Sequence, residues 1–304
     1  MTLKHIIIAG TNKAATTSLF NYLSDHPNVC GSYIKQTNYF LDQEVQDIHK
    51  LTSIFPYQDN HLNYQNFFKS NASQKIKLEA SPDYMFYNNT SKKIKSFLDN
   101  NDGEVVLILR NPVTRFKSWF NFGKQQNLLN EDVDFKQFYE LSKSYNGDNN
   151  LSLMAHATGF YSNYLTNFKN TLEGCKIHVF FYEDLIADPK QFLDSFCQKT
   201  GIDNKFYTNY QFGHYNKTVK IKSKVLSYTY DALRQFYLNY LYKGKVGVYL
   251  GGMIKSIVSP LYKKINTSTA KNDTQEEVVS KLTGDYATEK QKIAELFNLT
   301  NIPW

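Results

Sequence analysis

The chain opens on a continuous apolar run, Ile6-Ile7-Ile8-Ala9-Gly10. An unbroken run of this kind, without polar alternation, predicts a strand buried on both faces. Leu19, Phe20 and Leu23 then recur at helical spacing until His26-Pro27 stops the pattern, so a helix follows once the loop is crossed. Further short apolar runs at 76–80, 105–109 and 177–182 each lead into a loop and a helical pattern. Strands separated by helices predict an α/β chain of three layers, a central parallel sheet flanked by helices with right-handed crossovers. Residues 132–144, with Phe135, Phe138 and Leu141 on one face, read as a helix, as do 161–172 and 288–297. The stretch 33–68 is aromatic and mixed, with little periodicity, while 99–102 reads as a solvated turn and 146–150 as a polar loop. Beyond His214 the pattern changes. Residues 217–224 are basic, 225–241 are aromatic with a helical period, and 267–274 read as a polar loop. The apolar segment 244–261 is broken by glycines and Lys255, too much for a membrane span. No internal repeat is visible, and a single domain over 1–304 is expected, with 215–304 completing its binding sites.

In a parallel sheet, ligands gather beyond the carboxyl ends of the strands. That rule directs 13–18, 79–84, 110–118 and 183–184 toward one site. The first of these is the most informative. A strand entering a short loop that opens a helix leaves backbone N–H groups aimed at one point, where the helix dipole also favours an anion. Lys13 and the hydroxyls of Thr16, Thr17 and Ser18 complete a cradle for a phosphate-like group, with Ala14 and Ala15 between them. A Walker A loop is excluded, because no second glycine precedes a Lys-Ser/Thr pair. An ordinary strand-to-helix turn with a capping threonine is the plainer alternative. The run ending Leu109-Arg110-Asn111-Pro112 sets an arginine fork at another strand tip, with Arg115 and Ser118 in the helix behind it. Arg110 and Ser118 fit a second anion.

Bulk properties narrow the picture. The 304 residues are 41% hydrophobic and 15% aromatic, which excludes disorder and allows a large core. A net charge of +7 and a pI near 9.0 favour an anionic ligand. The 35 basic and 28 acidic residues are spread without a polybasic run, which argues against nucleic acid. Cys30, Cys175 and Cys197 have neither pairing nor metal spacing and read as reduced thiols of a cytoplasmic protein, the last two as packing residues. With the first strand starting by Ile6, no leader or anchor is expected, and the Asn-x-Ser/Thr triplets such as Asn71-Ala72-Ser73 read as chance in an Asn-rich chain.

Two anion sites on neighbouring strands fit a nucleotide with phosphates at both ends. At this point the chain resembles a known family. The segment from Gly10 through Lys13 to Leu19, with His26-Pro27-Asn28-Val29 after it, is similar to the 5′-phosphosulfate loop of sulfotransferases that use 3′-phosphoadenosine 5′-phosphosulfate (PAPS). The bacterial and Golgi carbohydrate type is the nearest. Leu109 to Ser118 resembles that family's 3′-phosphate motif, and Gly159-Phe160-Tyr161, Phe181 to Leu185, Asp188-Pro189, the stretch after Asn216 and the closing Leu282, Tyr286, Glu289, Leu296 and Trp304 follow in family order. The resemblance implies a P-loop-like fold. It also implies Lys13 on the sulfate and bridging oxygen, Thr16 to Ser18 with Ala14 and Ala15 on the 5′-phosphate, and Arg110, Ser118 and Lys222 on the 3′-phosphate. The product would be 3′-phosphoadenosine 5′-phosphate (PAP), and no metal is implied.

The acceptor side departs from the family. Its Lys-Glu-x-His/Gln-Phe-Phe segment carries a glutamate base, whereas this chain has Lys35-Gln36-Thr37-Asn38-Tyr39-Phe40, and an amide is no base near neutral pH. The Glu-Lys-x-Pro motif stands as Glu79-Ala80-Ser81-Pro82, without its lysine. Glu79 is the expected base, with Asp83 as its rival; Gln36, Asn38, Asp83 and Tyr84 are expected around the acceptor. His156 and His214 are outside candidates for the base. Alternatively the acceptor needs little activation, or the chain binds nucleotide and catalyses poorly. The expected acceptor is a hydroxyl, or an amine, of a small secondary metabolite. A saccharide precursor, a P-loop nucleotide kinase and a nucleotide-binding protein without turnover are the rivals. The 243–264 segment leaves a homodimer or membrane-surface role open beside a core or lid helix.

Overall fold

A computed structural model describes residues 3–49, 51, 53–147, 150–213, 219–221, 267–269 and 276–304. Five strands, β1 (Lys4–Gly10), β2 (Val29–Gly31), β3 (Ile76–Ala80), β4 (Gly103–Leu109) and β5 (Lys176–Phe181), form one sheet in the order β2-β3-β1-β4-β5. Every neighbouring pair is parallel. Four of these strands are the apolar runs of the sequence. The fifth, β2, is three residues long at the sheet edge, too short to leave a pattern.

The helices up to the midpoint are α1 (Thr16–Ser24), α2 (Gln43–His49), α3 (Leu62–Gln65), α4 (Asn88–Leu98) and α5 (Pro112–Gln125). After them come α6 (Phe135–Ser144), α7 (Tyr161–Thr171), α8 (Tyr182–Ala187), α9 (Pro189–Thr200), α10 (Glu276–Asp285) and α11 (Glu289–Phe297).

Because side chains alternate along a strand, each apolar run feeds two cores. Ile7, Ala9, Val105, Leu107, Leu109 and Phe181 point to one face and meet Ile94 and Phe97 of α4, Leu165 and Phe168 of α7, and Ile293 of α11. Ile6, Ile8, Val106, Ile108 and Phe180 point to the other and meet Leu19 and Leu23 of α1, Leu185 of α8, and Leu193 and Phe196 of α9. Both faces are therefore covered, which gives the three layers expected. The aromatic stretch between α1 and β3 packs without a regular period. His5, Tyr39, Phe40, Tyr64, Phe67, Phe68 and Phe97 form a continuous set of edge and tilted ring contacts there.

Two expectations are corrected. In α6 the buried stripe is Phe135, Phe138, Tyr139 and Ser142, whereas Leu141 is 46% exposed. Positions i, i+3, i+4 and i+7 define the face, and Leu141 lies off it; Asp134 and Gln137 fix the helix start through a capping box. Within the supposed polar loop 267–274, Thr267–Thr269 is a strand, β7, paired antiparallel with β6 (Val219–Ile221). Threonine suits an extended backbone despite its polarity. The contacts divide the chain into two compact units. Residues 1–120, 132–216 and 275–304 make one, with the five-stranded sheet, and 121–131 with 217–274 make the other. The patterns read at 225–241 and 244–261, and Lys222, lie outside the described residues. Among the described residues, no helix is long and apolar enough to cross a membrane. Cys30, Cys175 and Cys197 are all unpaired thiols.

Candidate active site

β1 ends at Gly10 and α1 begins at Thr16, so the cradle is the short loop between them. Its first amide, Thr11 N, still pairs with the carbonyl of Ile108 at 2.9 Å, extending the sheet into the loop. Lys13 (φ 68°) and Ala15 (φ 60°) then adopt the left-handed conformation, which turns consecutive N–H groups toward a common point. The capping threonine of the plainer alternative is absent. The residue at the helix cap is Ala15, with no side chain to accept a hydrogen bond, so the first-turn N–H groups stay available. Thr16 and Ser18 are buried, Thr17 is half-buried, and Ala14 is fully buried in the core, which leaves Ala14 only its backbone to offer.

Two guanidinium groups brace this loop from the side. Arg110 follows β4 directly; its Nη1 donates to the Lys13 carbonyl at 3.0 Å and its Nε to Thr114 Oγ1 at 3.0 Å. The same group lies 4.1 Å over the ring of Tyr182. Arg115, in the first turn of α5, is fully buried. Its Nε donates to the carbonyl of Asn12 at 3.0 Å and its Nη2 to Thr158 Oγ1 at 3.1 Å, while Nη1 is buried without a hydrogen bond. Consecutive carbonyls of the loop are thus each held by an arginine. Lys13 is crowded with positive charge as a result. Burial, then Arg110, then Arg115 bring its pKa down to about 8. Lys35 adds a further cation, its Nζ donating to Thr16 Oγ1 at 3.2 Å. Ser118 stands one helical turn beyond Arg115 on the same side of α5. A buried set of cations that depresses one of its own members fits an anionic ligand, because an anion relieves the mutual repulsion.

The β3 end faces the same loop. Glu79 is fully buried, and its carboxylate accepts from Thr37 Oγ1 (2.6 Å), Ser81 Oγ (2.9 Å), Tyr64 OH (3.2 Å) and Tyr84 OH (3.5 Å). Burial raises its pKa to about 6 against the pull of those hydroxyls. Asp83 is 2% exposed and accepts a hydrogen bond from Asn12 Nδ2. Burial raises its pKa to about 6, opposed by the Asn12 bond and by the charges of Lys35 and Arg115. Tyr84 is a fully buried ring whose hydroxyl also lies 3.1 Å from Thr37 Oγ1. Gln36 is half-buried. Asn38 serves the turn. It has φ 51°, its N–H donates to Ser81 Oγ at 3.1 Å, and its carbonyl accepts from Gln46 at 3.2 Å.

Close approach of the 83–86 turn depends on Gly10. A Cβ there would collide with the Met85 sulfur and lie 2.8 Å from Met85 Cγ.

The structure therefore brings Lys13, Arg110, Glu79, Asp83 and Tyr84 to one end of the sheet, as the sequence predicts. Asn12, Lys35 and Arg115 were missed as working residues: a loop amide, a lysine and a helical arginine carry no distinguishing pattern. Glu183 of α8 accepts from the Asn111 N–H at 3.0 Å, which ties the start of that helix to the Arg110 tip. His156 is elsewhere, 2.9 Å from Asp285 in a link between the segment before α7 and α10. His214 lies outside the described residues. Among the described residues, no group of three His, Cys, Asp or Glu side chains could hold a metal.

The family model described as the sulfotransferase domain matches residues 3–249. The chain belongs to that family. A curated relative, the membrane-associated sulfotransferase kil1 of Dictyostelium discoideum, is 28% identical over 138 residues; the match takes in 45% of this chain but only 27% of that protein. A sulfotransferase from Alicyclobacillus acidocaldarius superposes with a TM-score of 0.55 at 19% identity, over 80% of this chain and 94% of that one. A retinol dehydratase crystallised with retinol and PAP gives a TM-score of 0.40 at 12% identity, over 100% of this chain and 84% of that one.

Proposed function

We propose that this sulfotransferase moves a sulfuryl group from PAPS to a hydroxyl, or an amine, of a small secondary metabolite, working as a cytoplasmic enzyme. The observation that carries the reading is the convergence of Lys13, Arg110 and Arg115 on the 12–13 loop segment, where burial, then Arg110 and Arg115, bring the Lys13 pKa down to about 8. The Alicyclobacillus likeness supports the fold that holds this loop. PAPS would supply the activated sulfuryl group, with the 5′-phosphate of PAP as the leaving group.

The chain's own residues do the rest. Lys13 stabilises charge at the bridging oxygen, the amides and hydroxyls of Thr16, Thr17 and Ser18 hold the 5′-phosphate, and Arg110 and Ser118 orient the 3′ end. The reading of free thiols in a reducing compartment supports the cytoplasmic setting.

One observation favours a second acceptor class. A cavity of about 560 Å³ is lined by Asp42, Phe86, Tyr87, Asn88, Asn89, Asn163 and Tyr164, and its Phe86 ring lies 5.7 Å from the Arg115 guanidinium. Amides beside aromatic faces suit a polyhydroxylated acceptor such as a saccharide precursor.

Calorimetry with PAP and labelled-PAPS transfer to a panel of alcohols, phenols, amines and sugars tests the reading together. PAP is expected to bind and one class to be sulfated; no heat with PAP overturns it.

A further inference from the structure

We propose that Asp83 takes the acceptor's proton and that Glu79 is a positioning residue, an inference that rests on the sulfuryl-transfer reading above. Glu79 is closed to a substrate. Both of its oxygens already accept from protein hydroxyls, Tyr64 on Oε1 and Thr37, Ser81 and Tyr84 on Oε2, and none of it is exposed. A general base must come within hydrogen-bond reach of the proton it removes, and three donors crowd Oε2 while Tyr64 covers Oε1 of a carboxylate with no exposed surface. What Glu79 does is hold three segments together: Thr37 of the loop after β2, Tyr64 of α3, and Ser81 with Tyr84 beyond β3.

Asp83, itself only 2% exposed, differs in how its oxygens are occupied. Its Oδ1 accepts from Asn12, the residue preceding Lys13, so the carboxylate stands beside the cradle. Among the described residues, Oδ2 receives no hydrogen bond. The charges facing Asp83 are cationic, Lys35 and Arg115, and Lys35 also reaches Thr16 at the start of α1. The carboxylate thus sits between the loop that takes the sulfuryl donor and the turn leading to Phe86.

In the step, the acceptor oxygen forms a bond to sulfur while the bond from sulfur to the bridging phosphate oxygen breaks. The electron pair of the broken bond leaves with PAP. The acceptor's proton passes to Asp83 Oδ2 and later to water. Glutamine at position 36 is then no obstacle, since the proton has another destination.

The test compares Asp83→Asn and Glu79→Gln with the wild-type chain. PAP affinity is read by calorimetry, folding by thermal melting, and transfer from labelled PAPS to the hydroxyl sulfated fastest in the panel, with water as the baseline acceptor. Asp83→Asn keeps an oxygen to accept from Asn12, so it is expected to melt like wild type and to bind PAP at least as tightly, a carboxylate charge having been removed from an anion site. Its turnover is expected to fall about 100-fold or more, and the fall in wild-type turnover below about pH 6 is expected to disappear. Glu79→Gln is expected to melt lower and bind acceptor more weakly, with that acid limb retained. An Asp83→Asn protein with near-normal turnover, or with the acid limb intact, overturns the proposal while its PAP heat leaves the donor reading standing. Absence of PAP heat from the wild type sinks the donor reading instead.

Discussion

Lys13 owes its chemistry to its neighbours. Burial, and then the charges of Arg110 and Arg115, bring the pKa of its ammonium down to about 8. Binding a phosphate ester reverses the balance and recharges it. Calorimetry of PAP binding at pH 8 in buffers of different ionisation enthalpy should therefore show uptake of about half a proton, since a group at its pKa is half-charged. Lys13→Ala abolishes that uptake and lowers turnover about 10²–10³-fold, the usual cost of one preorganised donor to developing charge. Arg115→Met diminishes the uptake by a different route. With one facing charge removed, Lys13 titrates higher and carries more of its charge at pH 8 before the ligand arrives. Neither the depressed lysine nor the buried arginine was legible beforehand. In sequence, Arg115 is one basic residue in a helix, and only its burial against the Asn12 carbonyl gives it a task. The same applies to Glu79 and Asp83, where spacing puts both carboxylates at one strand end but cannot tell which has its oxygens filled.

Elements join through a few buried polar contacts. Glu289, at the start of α11, is fully buried and accepts from the N–H of Ser162 at 2.8 Å and its hydroxyl at 2.7 Å. It caps α7 from another helix, with its charge at the positive end of the α7 dipole. Glu289→Ala should cost about 1.5–3 kcal/mol, the range for hydrogen bonds to a charged group, read as a lower urea midpoint at unchanged slope. His5 in β1 has an edge contact with Phe97 at 4.8 Å, and burial followed by the charge of Lys77 lowers its pKa to about 3. The unfolded chain binds that proton near pH 6.5 and the folded one does not. Its stabilising contribution is complete above 6.5 and is lost as pH falls toward 3. Between pH 6 and 4, wild-type stability should fall more steeply than that of His5→Leu by up to about 1.4 kcal/mol per pH unit, as urea titrations at each pH would show. The strands were readable because two buried faces require continuous apolar runs. The stretch between α1 and β3 was not, because its rings pack edge to face along irregular backbone, which imposes no period.

At the scale of the molecule, the sheet gathers loops from separate parts of the chain at one end. Gly10 leads to Lys13, Ala80 to Asp83, and Leu109 to Arg110. Ligand binding there should stabilise the whole fold. PAP at about a hundred times its dissociation constant adds roughly 2.7 kcal/mol, which in a chain of this size raises the melting temperature by roughly 4 °C. Arg110→Ala should lose most of that rise at the same PAP concentration while melting near wild type without ligand. The parallel architecture and its ligand-bearing end follow from apolar runs alternating with helices. The acceptor does not, since shape and hydroxyl placement arise only when distant loops meet. Gly10 sets the spacing of that meeting. One missing methyl lets the thioether of Met85 lie against the strand tip, so an alanine there, with the sheet and every charge preserved, would drive that side chain from the ground between the proton-accepting and sulfuryl-handling sides of the pocket.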